Sequence, residues 1–230
     1  MDLLSEVSQW ALTSKAQQDE VIDNLLSNLK GFEIVYEKDY CLESPIRIIS
    51  ISDVATKIVF NLIPGGTFAM GFSQAEEQQL KTLSVKLQDD EPEAAQWANN
   101  LLAKQNWHPV HQIKIAPFLL ARFPLSWTQA ELFDCLDEEN FLYQEYLDGS
   151  TFANADVAHL SADELEKLLQ NSKYILPSES QWEYACRAGS TTLFAWGNDL
   201  KCPWIEDFTN NFANDAASNC FGLVNYRVSW

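Results

Sequence analysis

The stretch LPSESQWEYACRAG, residues 176–189, is the most informative part of the sequence for the fold. Its local signals define the start and the end of one helix. Pro177 has a backbone angle suited to the start of a helix, and Ser178 with Gln181 three residues later has the form of a capping box. Gly189 tolerates the left-handed conformation in which many helices end. The stretch therefore predicts a helix that begins after Ser178 and ends before Gly189.

The side chains of this helix divide into two groups. Trp182 and Cys186 lie one turn apart on one face, with Tyr184 on the neighbouring face, so we predict that they contact the core. Glu183 and Arg187 stand four residues apart and are expected to form an ion pair on the surface. These residues indicate an amphipathic helix and no chemistry of their own.

The chain before this helix reads as one helix followed by short strands. Val21, Leu25 and Leu29 repeat at helical spacing after Ser14, and Gly31 ends the helix. The next segments are rich in β-branched and aromatic residues and are predicted as strands: FEIVYEK (32–38), PIRIISIS (45–52) and KIVFNLIP (57–64). We expect residues 1–55 to form a helix-plus-strand appendage to a main domain at 56–230.

The middle of the chain alternates irregularly between strand and helix. Pro64 to Gly66 predict a turn before the strand TFAMG, and residues 73–106 predict two helices broken near Asp90. Strand character returns at 110–126. Two later helices are expected, TQAELFDCL opened by Thr128 with Glu131, and LSADELEKLLQ opened by Ser161 with Glu164. The lack of regular βαβ order favours an α+β fold over a parallel sheet.

Composition and charge restrict the class of partner. The 230 residues are 47% hydrophobic with 8 Trp and 13 Phe, which is typical of a compact globular protein. The net charge of −18 argues against nucleic acid, whose phosphates are bound by Lys and Arg. It favours a basic protein partner, although a solvating acidic surface is the alternative. The acidic residues that we predict to bind this partner are Asp89, Asp90, Glu91 and Glu93.

The sequence also bears on the compartment. No stretch approaches eighteen apolar residues, so no contact with a membrane is expected. The amino terminus carries acids where a signal peptide carries positive charge. The five cysteines, Cys41, Cys135, Cys186, Cys202 and Cys220, are scattered and form no CxxC pair. This pattern predicts reduced thiols and a cytoplasmic location, and it leaves the oligomeric state open.

Four segments, in order along the chain, carry a family resemblance. They are IPGGTFAMG (63–71), HPVHQIKIAPFLLARFPLSWTQAELF (108–133), LPSESQWEYACRAGSTTLFAWGND (176–199) and NCFGL (219–223). Together they resemble the formylglycine-generating enzyme family, also called sulfatase-modifying factors, over about residues 58–223. The resemblance implies a C-type-lectin-like variant of an α+β fold. The first 55 residues and a helical insertion at 73–106 lie outside the family pattern.

The resemblance also implies an activity and a reason to doubt it here. Enzymes of this family oxidise a cysteine of a sulfatase to formylglycine with O2 and with copper held by two cysteines beyond the FGL segment. Thiolate is the soft ligand that Cu(I) prefers. This sequence ends FGLVNYRVSW, with no cysteine pair after Cys220. We therefore predict no catalytic residue and no cofactor, and the balance lies against an enzyme.

Other candidate chemistry is weaker. Pro109 lies between His108 and His111, which spoils the shared helical face of a metal site, and His159 is expected to be exposed at a helix start. Cys202 and Cys220 are more readily explained as ordinary thiols than as metal or redox groups. The acidic run at 89–93 lacks the ligand spacing of a calcium loop. No metal site is predicted.

Three functional hypotheses follow from the sequence. The first is a non-catalytic protein that binds a basic protein partner, for example as an immunity- or antitoxin-like protein. The second is part of a formylglycine-generating or related oxidase whose cysteine segment is supplied by another chain or lost by truncation. The third is an enzyme with a different set of residues on the same fold.

Overall fold

The computed structural model describes residues 3–40, 46–89, 91–103, 110–149, 157–194, 197–198 and 225–226, with backbone alone at 40, 225 and 226. The helices are α1 (Val7–Leu12), α2 (Lys15–Asn28), α3 (Gln74–Leu87), α4 (Pro92–Ala103), α5 (Trp127–Glu131), α6 (Phe141–Leu147), α7 (Ala162–Gln170) and α8 (Glu179–Arg187). The strands are β1 (Phe32–Tyr40), β2 (Ile46–Asp53), β3 (Val59–Ile63), β4 (Gly66–Met70), β5 (His111–Ile115), β6 (Phe118–Ala121), β7 (Tyr174–Ile175) and β8 (Asn225–Tyr226). Helices and antiparallel strands are mixed, so the predicted α+β class is confirmed.

The described residues form two compact units. The first unit contains those up to Gly66, those of 116–177, and β8. Its six-stranded sheet has the order β1-β2-β3-β6-β8-β7, and each strand pairs antiparallel with its neighbours. The sheet joins strands from the first 55 residues to strands of the later chain, since Ile51 of β2 lies opposite Phe60 of β3.

The core of the first unit lies between the sheet and its helices. Alternate residues of β3, Phe60 and Leu62, are buried, and in β2 every residue from Ile49 to Asp53 is buried. Residues of the helices and of the turns beside them close the core, and each large side chain removed from water contributes roughly 1.5–3 kcal/mol. These residues are Leu4, Trp10, Ile22, Leu25, Leu29, Trp127 and Leu168.

The second unit contains the described residues of 67–115 and 178–198. Helices α3 and α4 form an antiparallel hairpin, in which Leu80, Leu83 and Leu87 pack against Ala95 and Ala98. Strands β4 and β5 form a two-stranded sheet, and α8 packs against β5. The prediction of two helices within 73–106 is confirmed, and α4 begins at Pro92, where the missing N–H costs nothing.

One predicted helix start is wrong. Helix α5 begins at Trp127, because the hydroxyl of Ser126 accepts the N–H of Gln129 in a capping box. Thr128, the predicted opening residue, instead contacts the hydroxyl of Tyr146. The helix then ends at Glu131, well before the predicted end at Leu136.

The other capped helices agree with their local signals. Ser161 with Glu164 and Ser178 with Gln181 both form complete capping boxes, as predicted. Helices α1 and α6 are additional elements that the sequence analysis did not predict. No helix among the described residues has the length and apolar character needed to cross a membrane.

Candidate functional site

The acidic residues predicted to bind a partner lie at the turn of the α3–α4 hairpin. Asp89 and Glu93 are exposed, Glu91 is half-buried, and Asp90 lies outside the described residues. The backbone of this turn is held in place, because the Glu91 N–H donates to the Leu87 carbonyl at 2.8 Å and the Ala95 N–H donates to the Glu91 carbonyl at 3.0 Å. We call Asp89, Asp90, Glu91 and Glu93 the acidic turn.

Three carboxylates of the acidic turn, those of Asp89, Glu91 and Glu93, have no partner within the described part of the chain. Neither a hydrogen bond nor an ion pair from a described residue reaches their side chains. An exposed carboxylate can exchange its water for a cationic partner at small cost. These three residues therefore present negative charge that the described part of the fold does not use.

Two exposed apolar side chains flank the acidic turn. Val85 lies one helical turn before Asp89 and is 73% exposed, and Trp97 lies one turn after Glu93 and is 41% exposed. The Trp97 ring is stacked on the ring of Phe194, with centroids 6.3 Å apart and an interplanar angle of 17°. This support fixes the orientation of an indole that still has a large face open to solvent.

The base of the hairpin is built differently, around Arg187 at the end of α8. The guanidinium donates to Glu76 at 2.6 Å, to Glu183 at 2.7 Å and to the carbonyl of Gly71 at 2.7 Å. Glu183 also accepts the Gly71 N–H at 2.9 Å. We call Arg187, Glu76, Glu183 and Gly71 the Arg187 cluster, and it ties the start of α3 to α8.

Glu76 is the most buried carboxylate of this cluster. Burial by itself raises the pKa of Glu76, but hydrogen bonds from Ser73 and from Arg187 outweigh it and hold that pKa below its ordinary value. The Arg187 pKa is shifted upwards, because Glu76 and Glu183 together outweigh the opposing effect of its burial. Both groups are therefore charged near neutral pH, and the cluster supports the fold.

Helix α8, which lies within residues 176–189, differs from the sequence prediction in two ways. The Glu183–Arg187 pair exists, but it is partly buried and shared with Glu76, 111 residues away, and so it is not a surface pair. Cys186 is exposed, which overturns its predicted place in the core. Tyr184 is half-buried and packs edge-on against Phe68, with ring centroids 5.3 Å apart.

The first unit contains two further buried carboxylates. Asp53 accepts from the Tyr174 hydroxyl at 2.7 Å and from the Lys173 ammonium at 2.8 Å, and the Ala55 N–H donates to it at 2.9 Å. Burial alone raises the pKa of Asp53, yet these donors together lower it. Both oxygens of Asp53 have donors, so the residue is placed to hold its loop.

Glu164 is the second buried carboxylate of this unit. It accepts the N–H groups of Asp137 at 2.8 Å and Ser161 at 2.7 Å, and the Asn140 amide at 2.9 Å. Burial acts to raise the pKa of Glu164, and these hydrogen bonds reverse that effect. The residue joins the start of α7 to the loop before α6, which is a structural role.

The cysteines and histidines that the sequence analysis weighed as ligands are described only in part. Cys135 is buried, and burial together with the charge of Glu164 raises its pKa, so this thiol resists becoming thiolate. His111 and His159 are exposed. Within the described ranges no three His, Cys, Asp or Glu residues are grouped as metal ligands. Cys41, His108, Cys202 and Cys220 lie outside the described residues.

Comparison with known proteins identifies one family. Residues 53–225 match the family described as the sulfatase-modifying factor enzyme 1-like domain, which covers most of the chain. A comparison with curated proteins gave no match, and a comparison with solved structures gave none either. The match includes the α3–α4 hairpin within its span and begins at the end of β2.

Proposed function

Because the chain belongs to the sulfatase-modifying factor family, we propose that it uses this family's fold to bind a basic protein partner through the acidic turn. The observation that carries the proposal is that Asp89, Glu91 and Glu93, between Val85 and Trp97 at the end of a helical hairpin, have no partner among the described residues. An immunity- or antitoxin-like protein that binds a basic toxin is one form that this function takes.

Charge and apolar surface would act at different stages of binding. A protein of net charge −18 attracts a basic partner over a distance, which raises the association rate, and the effect falls with salt. Once in contact, Trp97 supplies the large rigid apolar side chain that often dominates interface energy. Its stacking on Phe194 means that little side-chain freedom is lost on binding.

The proposal includes a non-catalytic role. Copper chemistry of the type expected from the family resemblance needs cysteine thiolates, which Cu(I) prefers as soft ligands. Burial raises the pKa of the Cys135 thiol, which makes it a poor source of thiolate. This observation supports a non-catalytic role for Cys135.

The alternative is a part of a formylglycine-generating or related oxidase whose cysteine segment comes from another chain. Family membership favours this alternative, because the family takes its description from enzymes that modify sulfatases. It predicts that the chain turns over a cysteine-containing sulfatase peptide with Cu(I) when the missing segment is supplied. Turnover by the isolated chain would contradict the binding proposal directly.

The test uses a matched pair of charge-reversal variants as baits. Asp89→Lys/Glu93→Lys changes the acidic turn, and Glu138→Lys/Glu139→Lys makes the same change in net charge at exposed positions elsewhere. A partner captured from the host should be retained by the wild type and the control variant and lost from the acidic-turn variant. Its association rate with the purified wild type should fall about tenfold or more as salt rises. Equal capture by all three proteins would contradict the proposal.

A further inference from the structure

Strand β1 is a long edge strand with an unusual exposed surface. It lies at one end of the six-stranded sheet and pairs with β2 on one side. Each side chain from Glu33 to Asp39 is exposed. Three consecutive apolar residues are among them, Ile34, Val35 and Tyr36, at 45%, 47% and 40% exposure. An edge of this kind is a template for pairing with a further strand.

A β-bulge changes which residues of β1 share a face. The register shifts between Ile34 and Tyr36, so Val35 is the extra residue. Glu33 lies opposite Ser52, and Lys38 lies opposite Ile48. Because Ser52 and Ile48 are four residues apart on a regular strand, Glu33 and Lys38 lie on the same face of β1 despite their odd spacing.

We propose that β1 pairs with β1 of a second copy of this chain, antiparallel, about a two-fold axis at the bulge. In this register Glu33 lies opposite the second copy's Lys38, and Lys38 opposite the second copy's Glu33. Val35 lies opposite the second copy's Tyr36, which places apolar side chains at the axis. A two-fold interface repeats each of these contacts, so the strand is complementary to itself.

Other two-fold registers of the strand are less favourable. A shift by one residue places residues of opposite faces across from each other, because side chains alternate along a strand. A pairing centred on Lys38 keeps the faces matched, but it places Lys38 against itself and Glu37 against Asp39. Like charges directly opposite destabilise a strand pair. The charges of β1 therefore favour the register about the bulge over the pairing centred on Lys38.

The net charge of the chain sets how strong this dimer can be. Two copies of net charge −18 repel each other, although salt screens the repulsion beyond about 8 Å at physiological ionic strength. Pairing one strand buries less surface than a permanent dimer interface does. We expect a reversible dimer whose population rises with protein concentration. This dimer does not depend on the proposed binding of a basic partner.

The test is a charge swap across the axis, measured by sedimentation equilibrium on the full chain. Glu33→Lys and Lys38→Glu each replace two attractive pairs by two repulsive ones, and each should weaken the dimer about tenfold or more. The double variant Glu33→Lys/Lys38→Glu restores opposite charges, so its dissociation constant should return to within about threefold of the wild type. Circular dichroism and thermal midpoints confirm that each variant is folded.

Matched controls separate a local effect from a change in net charge. Glu138→Lys and Lys167→Glu make the same charge changes at exposed positions away from β1, and they should leave the dissociation constant within about threefold of the wild type. A wild type that remains a single chain at the highest attainable concentration would overturn the proposal. So would a dimer that ignores the single swaps, or a double variant that stays as weak as the single ones.

Discussion

The two ends of the α3–α4 hairpin use the same residue type for opposite purposes. At the base, Glu76 is buried and receives donors from Ser73 and Arg187. At the turn, about 20 Å along α3 by helix rise, Asp89 and Glu93 are exposed and have no partner among the described residues. A carboxylate with all its donors inside the chain stabilises the fold, whereas one without them remains accessible to another molecule.

The largest effect is expected at the base. Arg187→Met removes one of the donors of Glu76 and leaves a buried carboxylate without its countercharge, so the free energy of unfolding should fall by about 3–5 kcal/mol in urea titrations. The double variant Glu76→Gln/Arg187→Met removes the charge as well and should recover part of the loss. A loss below about 1 kcal/mol for Arg187→Met would show that the carboxylates at the base contribute no more to stability than those at the turn.

The local part of this comparison could be predicted from the sequence, but the distant part could not. Serine followed by Glu or Gln three residues later located the starts of α7 and α8, because a cap depends only on neighbours in the chain. The Glu183–Arg187 pair was predicted for the same reason. Its contact with Glu76 spans 111 residues, and no local spacing encodes it.

The wrong predictions have a physical cause as well. Thr128 with Glu131 and Ser126 with Gln129 both fit a capping box, and the sequence alone does not say which hydroxyl meets the N–H groups. Cys186 fits an apolar stripe, but a nine-residue helix has only two or three turns, so its faces are poorly defined by periodicity. The exposed edge of β1 is a property of the sheet order and becomes visible only in the fold.

Acid titration should reveal the contribution of the buried, hydrogen-bonded carboxylates to stability. Asp53, Glu76 and Glu164 have pKa values lowered in the fold, so their contribution is complete above the pKa of the unfolded chain and is lost as pH falls through the folded value. The free energy of unfolding should be steady from pH 7 to about 5 and then fall by about 2 kcal/mol or more.

One variant sharpens this titration. Glu164→Gln removes one of the lowered pKa values, and its stability should depend less steeply on pH below about 5 than that of the wild type. A pH slope equal to that of the wild type would contradict the role assigned to the Glu164 carboxylate.

A smaller effect is expected at the cap of α8. The Ser178 hydroxyl accepts the Gln181 N–H at 3.1 Å, and Ser178→Ala should lower the free energy of unfolding by about 1 kcal/mol. Ser178→Gly exposes the same N–H groups to water and should lower the free energy of unfolding by only a few tenths of a kcal/mol, which makes it the control. An equal loss for both variants would indicate that packing, and not the cap, is affected.

The smallest effect on stability is expected at the acidic turn. Asp89→Lys/Glu93→Lys breaks no contact of the described residues, so the free energy of unfolding should fall by only about 0.5 kcal/mol, since Glu93 lies in the first turn of α4, where the helix dipole favours an acid. Arg187→Met should show the converse, a large loss of stability. If the acidic turn instead proves as sensitive as the base, its carboxylates support the hairpin and are not available to a partner. If Asp89→Lys/Glu93→Lys keeps its stability but loses the basic partner, binding takes place at the turn. Partner binding would then change at the turn and stability at the base of the same hairpin.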